Sequence, residues 1–339
     1  MGREFPGGLI DASMSAAVGS GQKPAPDNPT ISVGVPVYNG EDYLPELMHS
    51  LLDQTFTDIE IVICDNASTD RTPQICAEFA RRDPRVRYFR NERNIGPLNN
   101  YNRVFHLSRG KYFCWMAHDD FLDPTDLEKR LRVLEQNDDV VHCVSDVVYI
   151  GPDSRPLPFD PVRKGYICGP NGQLAPNFPR HVASQRDPVA RFVDLLARSD
   201  GVYESGLVRR DMMAKTSLQK DFYGNGVIWQ MELALKGRFV MVDEKLFYRR
   251  FHPNSSFFIP LELRDDWVAQ GTQGPKKRRL IRFTRFTRCY LEVIRNSTTL
   301  TRWQRMQCYL HVLRHTIIWI CRKIVEKGGA RFRRHHGGY

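Results

Sequence analysis

The sequence predicts an α/β protein built on a doubly wound, mostly parallel sheet flanked by helices. Three observations predict it. Strand-like and helix-like stretches alternate four times between residues 31 and 116 with short connections, the pattern of stacked βαβ units. The second of these strands, Ile59–Cys64 (IEIVIC), is almost continuously apolar, as strands covered on both faces are. The stretch Lys111–Asp123 (KYFCWMAHDDFLD) is an apolar run that ends in two adjacent carboxylates, Asp119 and Asp120. Open α/β sheets bind ligands at the carboxyl ends of their strands. Two hard oxygen donors delivered there suit Mg2+ or Mn2+, shared with a phosphate.

The elements follow in order. Ile31–Val35 is a short β-branched strand closed by Pro36. Leu44, Leu47, Met48, Leu51 and Leu52 recur at helical spacing. After Ile59–Cys64, Ser68, Thr69 and Asp70 offer N-caps for a helix through Ile75 and Phe79. Val86–Phe89 is the third strand, residues 96–107 the third helix and Lys111–Met116 the fourth strand. Residues 124–136 read as a helix with Asp123 placed to cap it, and Val140–Ile150 as a long strand. Residues 151–188 are dense in Pro and Gly and read as an excursion over the site. Beyond it come a helix at Pro188–Ala197, a short strand at Leu207–Arg210 and a helix at Ile228–Leu235 stopped by Gly237. Two strands, Phe239–Val242 and Leu246–Phe251, end in His252-Pro253.

No GxGxxG follows the first strand, so the dinucleotide-binding fingerprint is absent. Polar pairs stand at the strand ends instead: Tyr38-Asn39, Asp65-Asn66 and Asp119-Asp120. Eight cysteines occur without CxxC spacing, which indicates neither a zinc site nor a redox motif. Their placement in apolar runs suits small core residues in a reducing, cytoplasmic compartment. The first residues, rich in Gly, Ser, Ala and Pro, read as a disordered leader over 1–29, and no run reaches the roughly 20 apolar residues of a bilayer span.

Charge is uneven. Residues 275–339 hold seventeen Lys/Arg against two acids, so the preceding chain carries about −5 of the total of +10. Within this tail Trp303, Met306, Leu310, Leu313, Ile317, Ile320 and Ile324 recur at steps of three and four, an apolar helical stripe. Residues 275–327 therefore read as basic amphipathic helices, and 328–339 as a disordered end. The stripe has three readings: packing on the body or a partner helix, lying in an anionic membrane surface, or binding nucleic acid. No nucleic-acid module accompanies the charge, so that reading is the weakest; packing is the commonest fate of such a stripe, and peripheral membrane contact is favoured only by the family resemblance that follows.

PVYNGEDYLPELMHSLLDQTFTDIEIVICDNASTD, then NERNIGPLNNYNRVF and MAHDD, resemble the nucleotide-sugar-binding half of a family 2 glycosyltransferase of the GT-A fold, over residues 30–150. MELALKGRF and LFYRRFHPNSS are similar to that family's acceptor-side helix and closing segment, within a half spanning 151–260. The resemblance implies a metal-dependent, inverting transfer of a sugar from a nucleoside diphosphate (UDP, dTDP or GDP) to a glycan, lipid-linked or cell-surface polysaccharide acceptor. It implies that Pro36, Tyr38 and Asn39 line the nucleotide. Asp65 and Asn66 would meet base and ribose, and Arg93 and Asn94 would approach the base or diphosphate. Asp120 would ligate the metal, Asp119 the ribose or sugar or the same ion, and His252 would join the metal or diphosphate, aided by Arg249 or Arg250. One position departs from the pattern: the family's base Asp falls at Gly226. Glu232 on the helix is the next candidate, with Asp221 and Glu204 nearby in sequence. If none serves, the expectation is a non-catalytic sugar-nucleotide-binding or scaffold protein.

Overall fold

A computed structural model describes residues 28–169, 172–175, 182–197, 204–260, 263–268 and 282–335; the side chains of 282–284 and 322–335 lie outside that description. Most of the expected leader, and the last residues of the expected tail, lie outside the described residues.

The first half alternates as the apolar pattern dictates: β1 (Ile31–Val37), α1 (Leu44–Leu52), β2 (Ile59–Asp65), α2 (Thr72–Arg82), β3 (Val86–Arg90), α3 (Pro97–Leu107) and β4 (Tyr112–Trp115). Every residue of β1, β2 and β4 is buried, at about 1.5–3 kcal/mol per large apolar side chain removed from water. Proline stands in the first turn of α1, α2 and α3, where its missing N–H costs nothing and its fixed φ starts the helix. Gly34, mid-β1, brings α3 close to the sheet: a Cβ there would lie 2.2 Å from Val104.

A two-residue strand β5 (Phe121–Leu122) follows, then α4 (Asp126–Gln136) and β6 (Val140–Ile150). The excursion after β6 holds a small antiparallel sheet of β7 (Phe159–Asp160), β8 (Gly165–Ile167) and β9 (Leu174–Ala175). Then come α5 (Pro188–Ala197), β10 (Leu207–Arg209), α6 (Arg210–Met213), α7 (Gly226–Ala234) and β11 (Arg238–Arg250). The last described elements are a 3₁₀ turn at Ser256–Phe258, α8 (Arg264–Val268), α9 (Arg282–Asn296) and α10 (Arg302–His335).

The main sheet has the order β3-β2-β1-β4-β10-β6-β11-β5. β1 to β4 pair in parallel, β10 inserts antiparallel between β4 and β6, and β6 and β11 run parallel. The winding reverses between β1 and β4, which opens a crevice at their carboxyl ends. One buried cluster lies on the side of α1, α2 and α4, and the other joins α3, α5, α7, α9 and α10.

Three sequence expectations are corrected, and one of the three readings of the apolar stripe is set aside. The two strands expected across 239–251 are one, β11, with register shifts at Val242–Lys245 and Lys245–Phe247 that pass over the exposed Asp243-Glu244. α2 starts at Thr72: Ser68 Oγ and Asp70 Oδ2 accept the backbone N–H groups of Asn39 and Glu41 at 2.9 and 3.1 Å, tying the β1 and β2 loops together, while Asp70 Oδ1 accepts the Thr72 N–H at 3.0 Å at the helix start. α10 runs on to His335, past the Gly328-Gly329 pair. The apolar stripe of α10 does not pack on the body: Trp303, Leu310, Leu313 and Ile317 are exposed, while Cys308 and Val312 face the core.

Candidate active site

A cleft of about 420 Å³ lies over the carboxyl ends of β1, β2 and β4. Pro36, Tyr38 and Asn39 line it from β1, Asn66 from β2, Asn94 from the loop after β3, and His118 and Asp119 from β4. Tyr38 is 42% exposed, so its ring is free surface and not core. Asn39 holds φ 49°, a left-handed conformation that Asn tolerates, and its Oδ1 accepts the Thr69 N–H at 2.8 Å.

Asn66 is buried. Its Oδ1 accepts the Ile95 N–H and the Asn91 amide, both at 2.9 Å, and its Nδ2 donates to Asn94 Oδ1 at 2.9 Å. A relay of amides therefore holds the base of the cleft, with Asn100 donating onward to the Cys64 carbonyl at 2.7 Å. Ala67 beside it sits at φ 61°, a strain of about 1–3 kcal/mol for a non-glycine residue. Asp65 does not line the cleft. Its Oδ1 accepts the Ser68 N–H at 2.8 Å, and its Oδ2 takes the Tyr88 hydroxyl at 3.1 Å and Arg90 at 3.3 Å. Asp65 shapes the β2 loop from beneath. Arg93 is exposed and stands outside the cleft wall.

The turn after β4 is the most constrained part. His252 Nε2 lies 3.0 Å from Asp119 Oδ2, and the His252 ring stands 4.7 Å from that of Tyr43. Asp120 Oδ1 accepts the Arg250 backbone N–H at 2.9 Å. The Arg250 side chain donates to the Asp119 carbonyl (2.8 Å), the Gly151 carbonyl (3.1 Å), Ser154 Oγ (2.9 Å) and Glu46 Oε2 (2.5 Å), and stacks over Tyr43 at 4.6 Å. It is 3% exposed, so its donors are engaged within the protein. Burial pushes the Asp120 carboxyl above its usual range, reinforced by the charge on Asp119. Burial also works against the Asp119 charge, but the His252 hydrogen bond and the nearby imidazoles outweigh it and hold its carboxyl low.

A second chamber, of about 140 Å³, opens behind this turn. It shares Tyr101, Ala117, Asp119, Ser255 and Ser256 with the cleft, and adds Asp120, Arg249 and Glu204. Asp119 thus borders both spaces. Glu204 precedes β10, and burial pushes its carboxyl up to about 7, against the lowering pull of Arg249 and a Gln219 hydrogen bond. A Cβ built on Gly226, the first residue of α7, would fall 1.7 Å from Glu204 Oε1.

Two sequence candidates stand elsewhere. Glu232 Oε2 accepts the Ser217 N–H at 2.5 Å, and Asp221 is exposed; neither lines the cleft or the chamber. Tyr101, Ser255 and Ser256 went unread, since a tyrosine inside a helix looks like core. The polar run Asn254-Ser255-Ser256 after β11 was the available signal.

Among the described residues no three His, Cys, Asp or Glu side chains cage a metal ion by themselves. The donor set fits a hard cation that takes one or two carboxylates from protein and its other ligands from phosphate and water, as Mg2+ usually does. Asp119 and Asp120 repel each other in a buried turn, and a cation would relieve that repulsion.

The glycosyl transferase family 2 model matches residues 32–186. An uncharacterized glycosyltransferase of Haemophilus influenzae is 36% identical over 112 residues, 33% of this chain and 35% of that protein. The uncharacterized glycosyltransferase YibD of Escherichia coli is 28% identical over 232 residues, 67% of this chain and 62% of that protein. The chain thus spans less than two thirds of the length of either relative. The crystal structure of S. aureus TarS 1-349 in complex with UDP superposes with a TM-score of 0.55 at 18% identity, covering 84% of this chain and 70% of that one. Residues 32–186, which hold the ends of β1, β2 and β4, match glycosyl transferase family 2, and the mixed sheet is the GT-A fold.

Proposed function

We propose that the protein is a transferase that moves one sugar from a nucleoside diphosphate to a glycan, lipid-linked or cell-surface polysaccharide acceptor, with Mg2+ or Mn2+. The observation that carries this reading is the shared border at Asp119: a cleft large enough for a nucleotide meets a small polar chamber at one carboxylate. The nucleotide lies against Tyr38, with Asn66 and Asn94 toward its base or ribose. The diphosphate lies at the Asp119-Asp120 turn and His252. A divalent cation held by Asp120, with Asp119 or His252, would neutralise charge building on the leaving phosphate. His252 adds a donor to that phosphate, and Arg249 a positive charge in the chamber. Arg250 positions the turn. In this reading Asp65 and Arg93 support the loops around the donor and do not touch it.

The exposed stripe of α10 supports a peripheral role at an anionic membrane. Trp303 is 63% exposed and Leu310 57%, with the exposed Arg302 and Arg314 alongside. Basic charge beside an apolar helix face suits lipid headgroups and acyl chains together. Among the described residues no helix is long and apolar enough to cross a membrane.

A thermal-shift screen of UDP, dTDP, GDP and their sugars tests the donor assignment. A nucleoside diphosphate should raise the melting temperature more with Mn2+ than without. No shift with any of them would overturn it.

A further inference from the structure

We propose that Glu204 is the general base that takes the proton of the acceptor hydroxyl; this rests on the transferase reading above. The chain reaches this arrangement by putting the carboxylate on the turn before β10 and a glycine on the facing helix.

Four observations converge on it. First, Glu204 lines the chamber that meets the nucleotide cleft at Asp119, in the same small space as the acidic turn and Arg249. Second, the space it fills exists because residue 226 has no side chain: a Cβ there would lie 1.7 Å from Oε1 and 2.9 Å from Cδ of Glu204. Gly226 opens α7, so a glycine there leaves the Glu204 carboxylate the room that any side chain would take.

Third, the other acids near this region hold the turn or stand outside the chamber. Asp119 pairs with His252, and Asp120 accepts from the Arg250 backbone. Glu232 accepts from Ser217 outside the chamber. Fourth, burial brings Glu204 to about 7, where a carboxylate is half ionised at neutral pH and basic enough to hold an alcohol proton during transfer.

The step balances without a further reactant. The acceptor O–H proton passes to a Glu204 oxygen. The freed electron pair forms the bond from acceptor oxygen to the anomeric carbon. The bond from that carbon to the diphosphate oxygen breaks, and its electron pair leaves on the nucleoside diphosphate. A single displacement of this kind, with acceptor oxygen and leaving oxygen in line at the anomeric carbon, inverts configuration.

The test uses the full chain, Mn2+ and a panel of UDP-, dTDP- and GDP-hexoses, with water as acceptor. Calorimetry measures donor binding, and release of nucleoside diphosphate measures turnover. Glu204→Gln should bind the donor within about threefold of wild type and lose at least a hundredfold in turnover, the usual span of general-base catalysis. Moving the carboxylate to the helix, by Glu204→Gly combined with Gly226→Asp, should recover at least roughly tenfold of that loss, which a structural role for Glu204 would not give. Turnover within threefold of wild type in Glu204→Gln overturns the proposal. So does a wild type that binds donor and releases no diphosphate, because a poised base beside the sugar would activate water. A wild type that binds no member of the panel overturns the transferase reading itself.

Discussion

Arg250 Nε donates to the Asp119 carbonyl at 2.8 Å while the Arg250 backbone N–H donates to Asp120 Oδ1 at 2.9 Å. One residue of the closing strand β11 therefore grips both halves of the acidic turn, and through Glu46 it ties that turn to α1. Its neighbour Arg249 also lines the chamber, where its charge acts on Glu204 and Asp120. The two arginines should separate experimentally. Arg250→Ala should cost about 3 kcal/mol of stability, since it strips partners from a buried network, and lower the denaturation midpoint. Arg249→Ala should lower that midpoint less than Arg250→Ala does, and should reduce turnover. Equal stability loss in both would contradict the division.

Asp120→Asn keeps the oxygen that accepts the Arg250 N–H, so the turn should survive. The carboxylate charge is lost, and with it the hard donor a divalent cation prefers. Calorimetric donor affinity with Mn2+ should fall at least tenfold, toward the value measured with EDTA. Unchanged Mn2+ dependence in this variant would remove Asp120 from the metal site.

The sheet was legible because its first half obeys one rule. Continuous apolar runs such as Ile59–Cys64 are buried on both faces, and the polar pairs at their ends stand beside the crevice. Asn66 and Asp119 were found that way. Asp65 was misplaced by one step: its side chain points under the loop, to Tyr88 and Arg90, and local sequence carries no sign of that. The chamber was less legible, since it joins residues 101, 119, 204 and 249, brought together by an inserted antiparallel strand. Gly226 read as the loss of a base; only the fold reveals Glu204 standing in the space the glycine leaves.

Glu204 also has a signature in stability. Burial raises its carboxyl from an ordinary 4.5 to about 7, so the folded state binds this proton more tightly than the unfolded chain. Its contribution is most favourable below about 4.5 and is lost as pH rises through about 7. The charged and titratable groups sharing its chamber are Arg249, Arg250, Asp119, Asp120 and Tyr101, and Gln219 bonds it. Glu204→Gln removes the titration and keeps the shape. Its melting temperature should match wild type near pH 5 and exceed it by a few degrees at pH 8. A constant difference across that range would mean that Glu204 titrates normally.

The α10 stripe makes the membrane reading testable without touching the site. Leu310 and Ile317 are 57% and 52% exposed, on the face away from Cys308 and Val312. Replacing both with glutamate should leave folding stability within about 0.5 kcal/mol, as surface changes do. The same change removes two side chains that would each contribute about 1.5–3 kcal/mol on entering an apolar phase. Binding to vesicles containing phosphatidylglycerol should therefore drop at least tenfold, and wild-type binding should weaken with added salt as screening grows. Vesicles of phosphatidylcholine alone should bind poorly, because they lack the charge that Arg302 and Arg314 would meet. If the double variant binds anionic vesicles as wild type does, the stripe is not the contact. Loss of a dimer in sedimentation for that variant would then assign the stripe to a second copy of the chain.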